Sequence, residues 1–541
     1  ERLRFAKRRF ERFNPTDRIT LVAGGDGPFL PFPDAHFDCV TLSGVLEWVA
    51  DTEDFNQGGA KLQRALRMLA SINGEKNPRR MQLRFLREIR RVLKPGGQLF
   101  VAIENRLDYE YFGRRPDHHS GLWFGSLLPR PLANAYSVVR NRTPYRTYTY
   151  SAAGLERLFG EAGFPQQSLL GFLDGYTHLS EVLGFGPADN DLLAPPKHDG
   201  GVDRFRRHRM FVPAYGMIAA GPDRKGSSLL RRVVQDARVR SGSQEALRFE
   251  RMLVSPKEKA VLLGQAGTLP VVMTIACNAA ARAAQARHHR FLESSRDLPT
   301  VAALVPVPLC QGVVQNVSYS VEQRLTGHAL QHELNNGRRA GWLDEVRRVV
   351  RVLDPDPAHT PTVALQGEDF ERLFGAPLTR VLDVLDDRSA ARSLEAGLTD
   401  LVRGLPVKIG LMHGDFSVSN LFVADGQISG LIDWEDVNPR GIPLLDAFNY
   451  LDSTHRHCSL GLELADTLPL LARMQWPVAD EQRWLERLLG ESGHERRHAL
   501  PLAVLYWLWH VEPQLAFRLA FDRRQIARRI EKVARALLGE S

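Results

Sequence analysis

The strongest constraint on the fold of this chain is a polar loop that interrupts two apolar, strand-like runs between residues 411 and 435. The sequence there is L-M-H-G-D-F-S-V-S-N-L-F-V-A-D-G-Q-I-S-G-L-I-D-W-E. His413, Asp415 and Asn420 lie in the interruption, and Asp433 ends the second apolar run. Rigid strands on either side can hold such a loop in place, and a carboxylate at a strand end can face a cleft. The segment therefore predicts a polar site supported by strands.

The spacing of this segment, His-x-Asp followed after four residues by Asn, is that of the catalytic loop of protein kinases. The motif G-L-I-D-W-E and then G-I-P-L-L-D-A-F-N-Y follow in order. With these motifs, residues 227–538 resemble the aminoglycoside phosphotransferase and choline kinase family. The resemblance implies a two-lobed, protein-kinase-like α+β domain that uses ATP and Mg²⁺, with lobes at about 227–325 and 326–541.

The resemblance also implies a role for each polar residue of the motif. Asp415 would be the catalytic carboxylate, and His413 would brace the loop. Asn420 and Asp433 would hold Mg²⁺, which prefers oxygen ligands and usually takes one or two carboxylates. Asp446 would be a structural support, hydrogen-bonded under the loop.

A purely structural alternative exists for the first part of the motif. An Asp in a turn often accepts hydrogen bonds from backbone N–H groups, so His413 and Asp415 alone fit a capped turn. The presence of Asn420, Asp433 and the later G-I-P favours the active-centre interpretation.

The family pattern fails at one point. The third strand of the N-terminal lobe should carry a basic residue that binds the nucleotide phosphates, but the sequence V-V-M-T-I-A places Met273 and Thr274 there. Lys257 and Lys259, in the preceding hairpin, are candidates to replace it; the alternative is that both are solvated surface lysines. The segment 319–325 resembles the strand between the lobes, and the resemblance implies that Gln323 and Leu325 contact the adenine.

The first part of the chain has a different pattern. From residue 19 to about 220, short apolar runs alternate with amphipathic segments, which indicates βα units and a largely parallel sheet. We predict strands at 37–42, 98–103 and 210–220, and a helix at 83–93 that is followed by a turn at K-P-G-G. Further strands are predicted at 260–263, 271–276 and 318–323, with a helix at 279–292. After residue 327 the pattern is mostly helical, and it ends in successive amphipathic helices.

Residues 1–220 resemble the class I S-adenosylmethionine-dependent methyltransferases through L-P-F-P-D-A-H-F-D-C-V-T-L-S-G-V-L-E-W-V and F-L-R-E-I-R-R-V-L-K-P-G-G-Q-L-F-V-A-I-E-N-R. The resemblance implies a partial Rossmann-like domain in which Asp26 and Gly27 lie beside the adenine. Leu42, Ser43 and Gly44 would lie near the methionine moiety. The family's glycine-rich loop and ribose-binding acid should precede residue 1, so the cofactor site is incomplete. We therefore expect an upstream extension and an exposed sheet edge.

Two groups of residues have the composition of metal sites. Residues 103–106 and D-H-H-S-G at 117–121, with Trp123 and Phe124, are expected on the acceptor side of the first domain, and the two adjacent histidines are candidate metal ligands. The alternative is an ordinary polar loop. His455, His457 and Cys458 form a second candidate, which lacks a fourth ligand.

Composition limits the class of protein. Hydrophobic residues at 43% and charged residues at 25% are ordinary for a globular chain of 541 residues. The net charge of +8 comes from basic residues interleaved with acidic ones, which favours a solvated surface over a nucleic-acid site. Four dispersed cysteines indicate no disulfide framework, and with no apolar run long enough to span a bilayer we predict a cytoplasmic protein.

The sequence therefore predicts an α/β chain with two parts: a methyltransferase domain at 1–221 and a kinase domain at 222–541. The predicted reaction is phosphoryl transfer to a hydroxyl of a small molecule or glycan. Two alternatives remain open: a non-catalytic kinase-like scaffold, and a protein whose main activity is methyl transfer once an upstream extension is restored. The sequence identifies neither the acceptors nor the oligomeric state.

Overall fold

The computed structural model describes residues 3–7, 19–24, 29–50, 72, 74, 76–113, 115–185, 193, 205–224, 228–335, 337–353, 361–459 and 461–539. These form two compact units. The first comprises mainly Ile19–Ala281 and Cys310–Val321, and the second mainly Arg282–Leu309 and Glu322–Ser541. Asp26 and Gly27, predicted beside an adenine, lie outside the described residues.

The first unit is built on a ten-stranded sheet with the order β1-β2-β5-β3-β4-β6-β7-β8-β10-β9. Its strands are β1 Phe37–Ser43, β2 Leu93–Glu104, β3 Gln166–Phe172, β4 Glu181–Gly184, β5 Ala214–Ala220, β6 Leu247–Ser255, β7 Lys259–Ala266, β8 Leu269–Ala276, β9 Pro308–Val314 and β10 Val317–Gln323. The predicted strands all appear. Among the described residues β1 lies at the edge and pairs only with β2.

Strand directions differ from the largely parallel sheet that the sequence suggested. β1 and β2 are parallel, but β5 pairs antiparallel with both β2 and β3. The strands β1, β2 and β3 therefore run one way, and β5 is inserted between two of them in the opposite direction. The sheet is therefore mixed. β4 runs antiparallel to β3, and β5, the next strand in the chain, runs antiparallel to both β2 and β3.

The helix Pro78–Val92 shows how the local sequence produces this architecture. Asn77 caps it by accepting hydrogen bonds from the N–H groups of Arg79 and Arg80, at 3.0 and 3.3 Å, and Pro78 occupies the first turn. The K-P-G-G segment that follows is not a separate turn. It belongs to the long strand β2, where Gly96 adopts a φ of 77° next to an irregular register with β1, so a bulge replaces the predicted turn.

The sheet does not stop at the predicted domain boundary near residue 221. β4 pairs antiparallel with β6 through Glu181↔Leu253 and Val182↔Met252. Glu181, which is buried, also accepts hydrogen bonds from Arg207 and Arg251. The strands on both sides of the boundary therefore belong to one continuous sheet.

The second unit is mostly helical, as predicted, and contains three small sheets. The three-stranded sheet has the order β11-β15-β16, and two-stranded sheets pair β12 with β13 and β14 with β17. These strands are β11 His328–Ala329, β12 Thr362–Ala364, β13 Pro406–Lys408, β14 Gly410–Met412, β15 Leu421–Ala424, β16 Gln427–Leu431 and β17 Asn438–Gly441. A tight turn with positive φ at Asp425 and Gly426 joins β15 to β16.

The α-helices of the chain beyond Pro78–Val92 have the following bounds: Tyr109–Phe112, Arg130–Asn141, Ala152–Glu161, Leu229–Arg240, Ala279–Ser294, Pro299–Ala302, Leu343–Leu353, Gly367–Phe370, Ala376–Leu382, Arg388–Val402, Leu444–Cys458, Leu464–Ala472, Ala479–Glu491, Ala499–Val511 and Leu515–Leu538. The helix Ala499–Val511 is buried along most of its length rather than amphipathic, so it forms the centre of the C-terminal bundle. Across the described stretches, no helix is both long and apolar enough for a bilayer.

Candidate active site

The loop from His413 to Asn420 connects two strands of the second unit, β14 and β15. Its backbone folds on itself: the Ser417 N–H donates to the Asp415 carbonyl at 2.8 Å, and the Asn420 N–H donates to the Ser417 carbonyl at 3.0 Å. The prediction of a loop held by strands is therefore confirmed. We call this segment the 413–420 loop.

A buried carboxylate supports the loop from below. Asp446, in the first turn of the helix Leu444–Cys458, accepts hydrogen bonds from the N–H groups of His413 at 2.7 Å and Gly414 at 3.0 Å. Complete burial raises the pKa of Asp446 to about 7, although the two N–H donors oppose this rise. The predicted hydrogen bonding of Asp446 under the loop is confirmed.

His413 ties the loop to the end of β16. Its Nε2 donates to the carbonyl of Ile432 at 3.0 Å, and its Nδ1 accepts from the N–H of Asp415 at 3.2 Å. The ring is fully buried and lies 4.3 Å from the ring of Trp434, centroid to centroid. These two hydrogen bonds assign the proton to Nε2, and they agree with the expected bracing role of His413.

The backbone at position 414 requires glycine. Its φ is 87°, and a Cβ added there would lie 2.2 Å from the carbonyl oxygen of Asp436 and 3.0 Å from Cζ2 of Trp509. Trp509 also donates from its indole Nε1 to the carbonyl of Gly414 at 3.0 Å. The backbone before Asp415 is thus enclosed on two sides, and only glycine fits.

Asn420 is buried at the other end of the loop. Its side-chain Nδ2 donates to the carbonyl of Asp415 at 2.9 Å, and its own carbonyl accepts from the N–H of Ile432 at 3.0 Å. This orientation leaves the amide Oδ1 as the atom available to a cation.

Asp433 follows directly after Ile432 and has left-handed backbone angles, φ 62° and ψ 58°. Asp tolerates this conformation better than most residues, and such outliers concentrate at functional sites. The next residue, Trp434, donates its N–H to Nδ1 of His288 at 3.1 Å. His288 Nε2 in turn lies 2.7 Å from the carboxylate of Glu322.

His288, Glu322 and Trp509 were missed at the sequence level. His288 lies in the regular pattern of the helix Ala279–Ser294, and Trp509 lies in an apolar helix, 95 residues beyond the glycine that it contacts. No local spacing marks either residue. Only the two histidines at 288 and 289, unusual in an alanine-rich helix, offered a signal.

The remaining nucleotide-side candidates, Gln323 and Leu325, lie at the end of β10 and just beyond it. Gln323 ends β10 and donates its N–H to the carbonyl of Val307 at 2.8 Å. Leu325 is partly buried and packs against Gly430.

In the first unit, Met273 of β8 is completely buried. Thr274, beside it, is partly exposed. Lys259 of β7 is only 5% exposed, whereas Lys257 is exposed. The alternative that both are solvated surface lysines is therefore compatible with Lys257 but wrong for Lys259.

The residues predicted near a methionine moiety lie at the end of β1. Leu42 is buried, Ser43 is exposed, and Gly44 has a φ of 62°. The hydroxyl of Tyr176 approaches Gly44 so closely that a Cβ there would lie 2.5 Å from it.

The two candidate metal groups have different outcomes. Glu104, His118 and His119 come together. No comparable cluster forms at His455 within the described ranges, where its Nδ1 instead lies 3.3 Å from Nη2 of Arg339.

With this geometry in place, comparison with known proteins gives a family for one part of the chain. Residues 260–500 match the phosphotransferase enzyme family. The C-terminal half thus carries a phosphotransferase-family domain. No curated protein sequence matches the chain.

Solved structures are similar at low identity. A thermostable mutant of aminoglycoside phosphotransferase APH(4)-Ia, bound to ADP and hygromycin B, is 19% identical over 57% of this chain and 98% of its own, with a TM-score of 0.39. A putative fructosamine-3-kinase from Haemophilus somnus 129PT is 11% identical over 56% and 96%, with a TM-score of 0.37. Spectinomycin phosphotransferase APH(9)-Ia, with ADP and spectinomycin, is 8% identical over 57% and 98%, with a TM-score of 0.33.

Proposed function

We propose that the kinase-like domain transfers the γ-phosphoryl group of ATP to a hydroxyl of a small molecule or glycan. The observation that carries this proposal is the hydrogen-bonded frame around Ile432. Its carbonyl accepts from His413 and its N–H donates to Asn420, so the 413–420 loop and the residue before Asp433 are held together. The family match of residues 260–500 supports the same chemistry.

Asp415 is the residue that would act on the acceptor. In phosphoryl transfer the protein mainly positions the reactants and stabilises charge, and a loop carboxylate orients the attacking hydroxyl and accepts its proton. The backbone of Asp415 is fixed by His413 at its N–H and by Asn420 at its carbonyl. Asp415 is therefore held at both of its peptide groups, as this role requires.

Asn420 and Asp433 have the donor chemistry of a Mg²⁺ site. The amide of Asn420 is held by its Nδ2, which leaves Oδ1 as its ligand atom, and Asp433 supplies a carboxylate on a constrained backbone. One amide oxygen and one carboxylate, completed by phosphate oxygens and water, match the preference of Mg²⁺. When bound, the ion would neutralise the charge that develops on the phosphates.

The central experiment measures phosphoryl transfer from ATP and Mg²⁺ to a panel of sugars, amino alcohols and polysaccharide ends. Asp415→Asn should lower turnover by about 10² to 10⁴, the usual contribution of a general base, with little effect on thermal stability. Ser419→Ala is a suitable control, because Ser419 is an exposed residue of the same loop. Equal turnover of Asp415→Asn and the unaltered chain would contradict the assignment. No thermal shift with Mg²⁺ and ATP would favour the scaffold alternative.

A second candidate activity, methyl transfer from S-adenosylmethionine, concerns the first domain. It is favoured by the order β1-β2-β5-β3, with β5 antiparallel to its neighbours, and by the position of Leu42, Ser43 and Gly44 at the end of β1. The close contact between Tyr176 and Gly44 opposes cofactor entry at this point. Calorimetry with S-adenosylmethionine tests the proposal, and Tyr176→Ala should bind it better if the tyrosine obstructs the site.

A further inference from the structure

A cluster of nitrogen and oxygen ligands lies in the first unit, whereas the 413–420 loop belongs to the second. Glu104 ends β2, and His118 and His119 lie in the loop beyond the next helix. His118 Nε2 is 2.7 Å from Oε1 of Glu104, and His119 Nε2 is hydrogen-bonded to Oε2 of the same carboxylate. The three ligand atoms all lie within 4.8 Å of one another.

The loop that carries the two histidines is fixed by a buried aspartate. Asp117, only 1% exposed, accepts hydrogen bonds from the His119 N–H at 3.0 Å and the Ser120 hydroxyl at 2.7 Å. The hydroxyl of Tyr145 donates to it as well, at 2.8 Å. The imidazoles therefore stand on a supported backbone, as ligands of a metal ion usually do.

A second carboxylate, that of Glu47, lies next to the cluster, and one of its two oxygens has no hydrogen bond among the described residues. Glu47 is completely buried, and its Oε2 makes no hydrogen bond to any of the residues that the structure describes. Its Oε1 and Oε1 of Glu104 lie 3.5 and 3.3 Å from the same Tyr176 hydroxyl. The neighbouring Trp48 packs edge-on against the His119 ring at 4.8 Å, so the Glu47 turn contacts the cluster.

We propose that Glu104, His118 and His119 bind one Zn²⁺ ion, with Glu47 as a fourth ligand. Two imidazole nitrogens and carboxylate oxygens are a typical zinc donor set, whereas Mg²⁺ and Ca²⁺ prefer oxygen alone. Ligands of one tetrahedral zinc ion lie about 3.3 Å apart, so Glu104, His118 and His119, whose ligand atoms lie within 4.8 Å of one another, need only small adjustments to exchange their hydrogen bonds for metal bonds. Glu47 joins them by turning its carboxylate away from the Tyr176 hydroxyl.

A metal ion accounts for an observation that hydrogen bonds leave unexplained. Imidazole-to-carboxylate hydrogen bonds alone would satisfy Glu104, but they would leave the buried Oε2 of Glu47 without a hydrogen bond among the described residues, which is costly. A cation between the two carboxylates offsets their mutual repulsion. The side chain of His118 is 49% exposed while that of His119 is 3% exposed, so the ion has a route in from the His118 side.

The test uses the full chain, freed of metal by a chelator and titrated with ZnCl₂ by calorimetry, with bound zinc counted by mass spectrometry. We expect one zinc ion per chain at this site. His118→Ala should weaken its binding at least about tenfold, because even indirect ligand contacts contribute that much. Because the side chain of His118 is 49% exposed, this variant should keep its fold, which circular dichroism checks. Glu47→Gln should weaken binding as well.

Two controls make the result specific. His36→Ala should bind zinc as the unaltered chain does, because His36 precedes β1, at the end of the strand opposite Gly44. Asp433→Asn should also keep the zinc, since Asp433 belongs to the other proposed metal site. The proposal is overturned if the unaltered chain takes up no zinc, or if His118→Ala binds it with unchanged affinity. Neither outcome bears on phosphoryl transfer.

Discussion

Replacing Gly414 by alanine tests whether the enclosed backbone before Asp415 matters for both stability and activity. The new Cβ would lie 2.2 Å from the Asp436 carbonyl oxygen, and atoms of this kind rarely approach within 3.0 Å. The loop must therefore move by roughly 0.8 Å, the difference between those distances. Alanine at this positive φ adds a further strain of about 1–2 kcal/mol.

A matched control separates the two effects. Gly426, in the turn between β15 and β16, has a φ of 76°, close to the 87° of Gly414, but nothing lies within 4 Å of its added Cβ. Gly426→Ala should therefore cost only the backbone strain of about 1–2 kcal/mol. Gly414→Ala should cost about 2–5 kcal/mol, because crowding typically adds about 1–3 kcal/mol.

Urea unfolding of both variants measures the stability difference, and phosphoryl transfer from ATP measures the consequence for the site. A misplacement of about 1 Å can lower turnover by about 10²-fold, so Gly414→Ala should lose about that much activity while Gly426→Ala keeps it. If the two variants were equally stable and equally active, the close approach of Asp436 to Gly414 would have no energetic consequence.

Two further predictions concern buried charges of the second unit. The pKa of Asp446 is raised by burial to about 7, so the folded chain holds this proton more tightly than the unfolded chain between about pH 4 and pH 7. The stability of the unaltered chain, relative to that of Asp446→Asn, should therefore fall as the pH rises through that window. Melting temperatures of the two proteins measured across the window test this, and a constant difference between them would contradict it. Arg339 and Glu481 form a buried ion pair, with side chains 4% and 0% exposed. Glu481→Gln should cost about 3–5 kcal/mol in urea unfolding, and adding Arg339→Met should recover part of it; no recovery would show that the stranded charge is not the cause.

The sequence was most informative where the chemistry is local. The order and spacing of His413, Asp415 and Asn420 predicted a supported polar loop, and the later Asp446 was correctly expected beneath it. These residues lie close in the chain, or follow one another in a fixed order of motifs. Strand and helix positions were also predicted well, because apolar periodicity marks them directly.

Long-range contacts were not predictable in the same way. The hydrogen bond from Trp434 to His288 joins residues 146 positions apart, and the regular helical pattern around His288 gives no indication of it. The burial of Lys259 was missed because a lysine in a hairpin is usually solvated. The contact between Glu104 and His118 depends on the path of the loop that carries His118, and the apolar periodicity of the sequence does not predict the path of a loop.

The pairing of β4 with β6 bears on how this protein can be dissected. A fragment that begins near residue 222 would keep β6 but lose β4, and with it the register partners of Met252 and Leu253. The open edge would offer unpaired N–H and carbonyl groups to any other strand, the usual route to self-association. Arg251 would also lose its contact with Glu181. A fragment cut at this point should therefore aggregate, even though its 413–420 loop is intact.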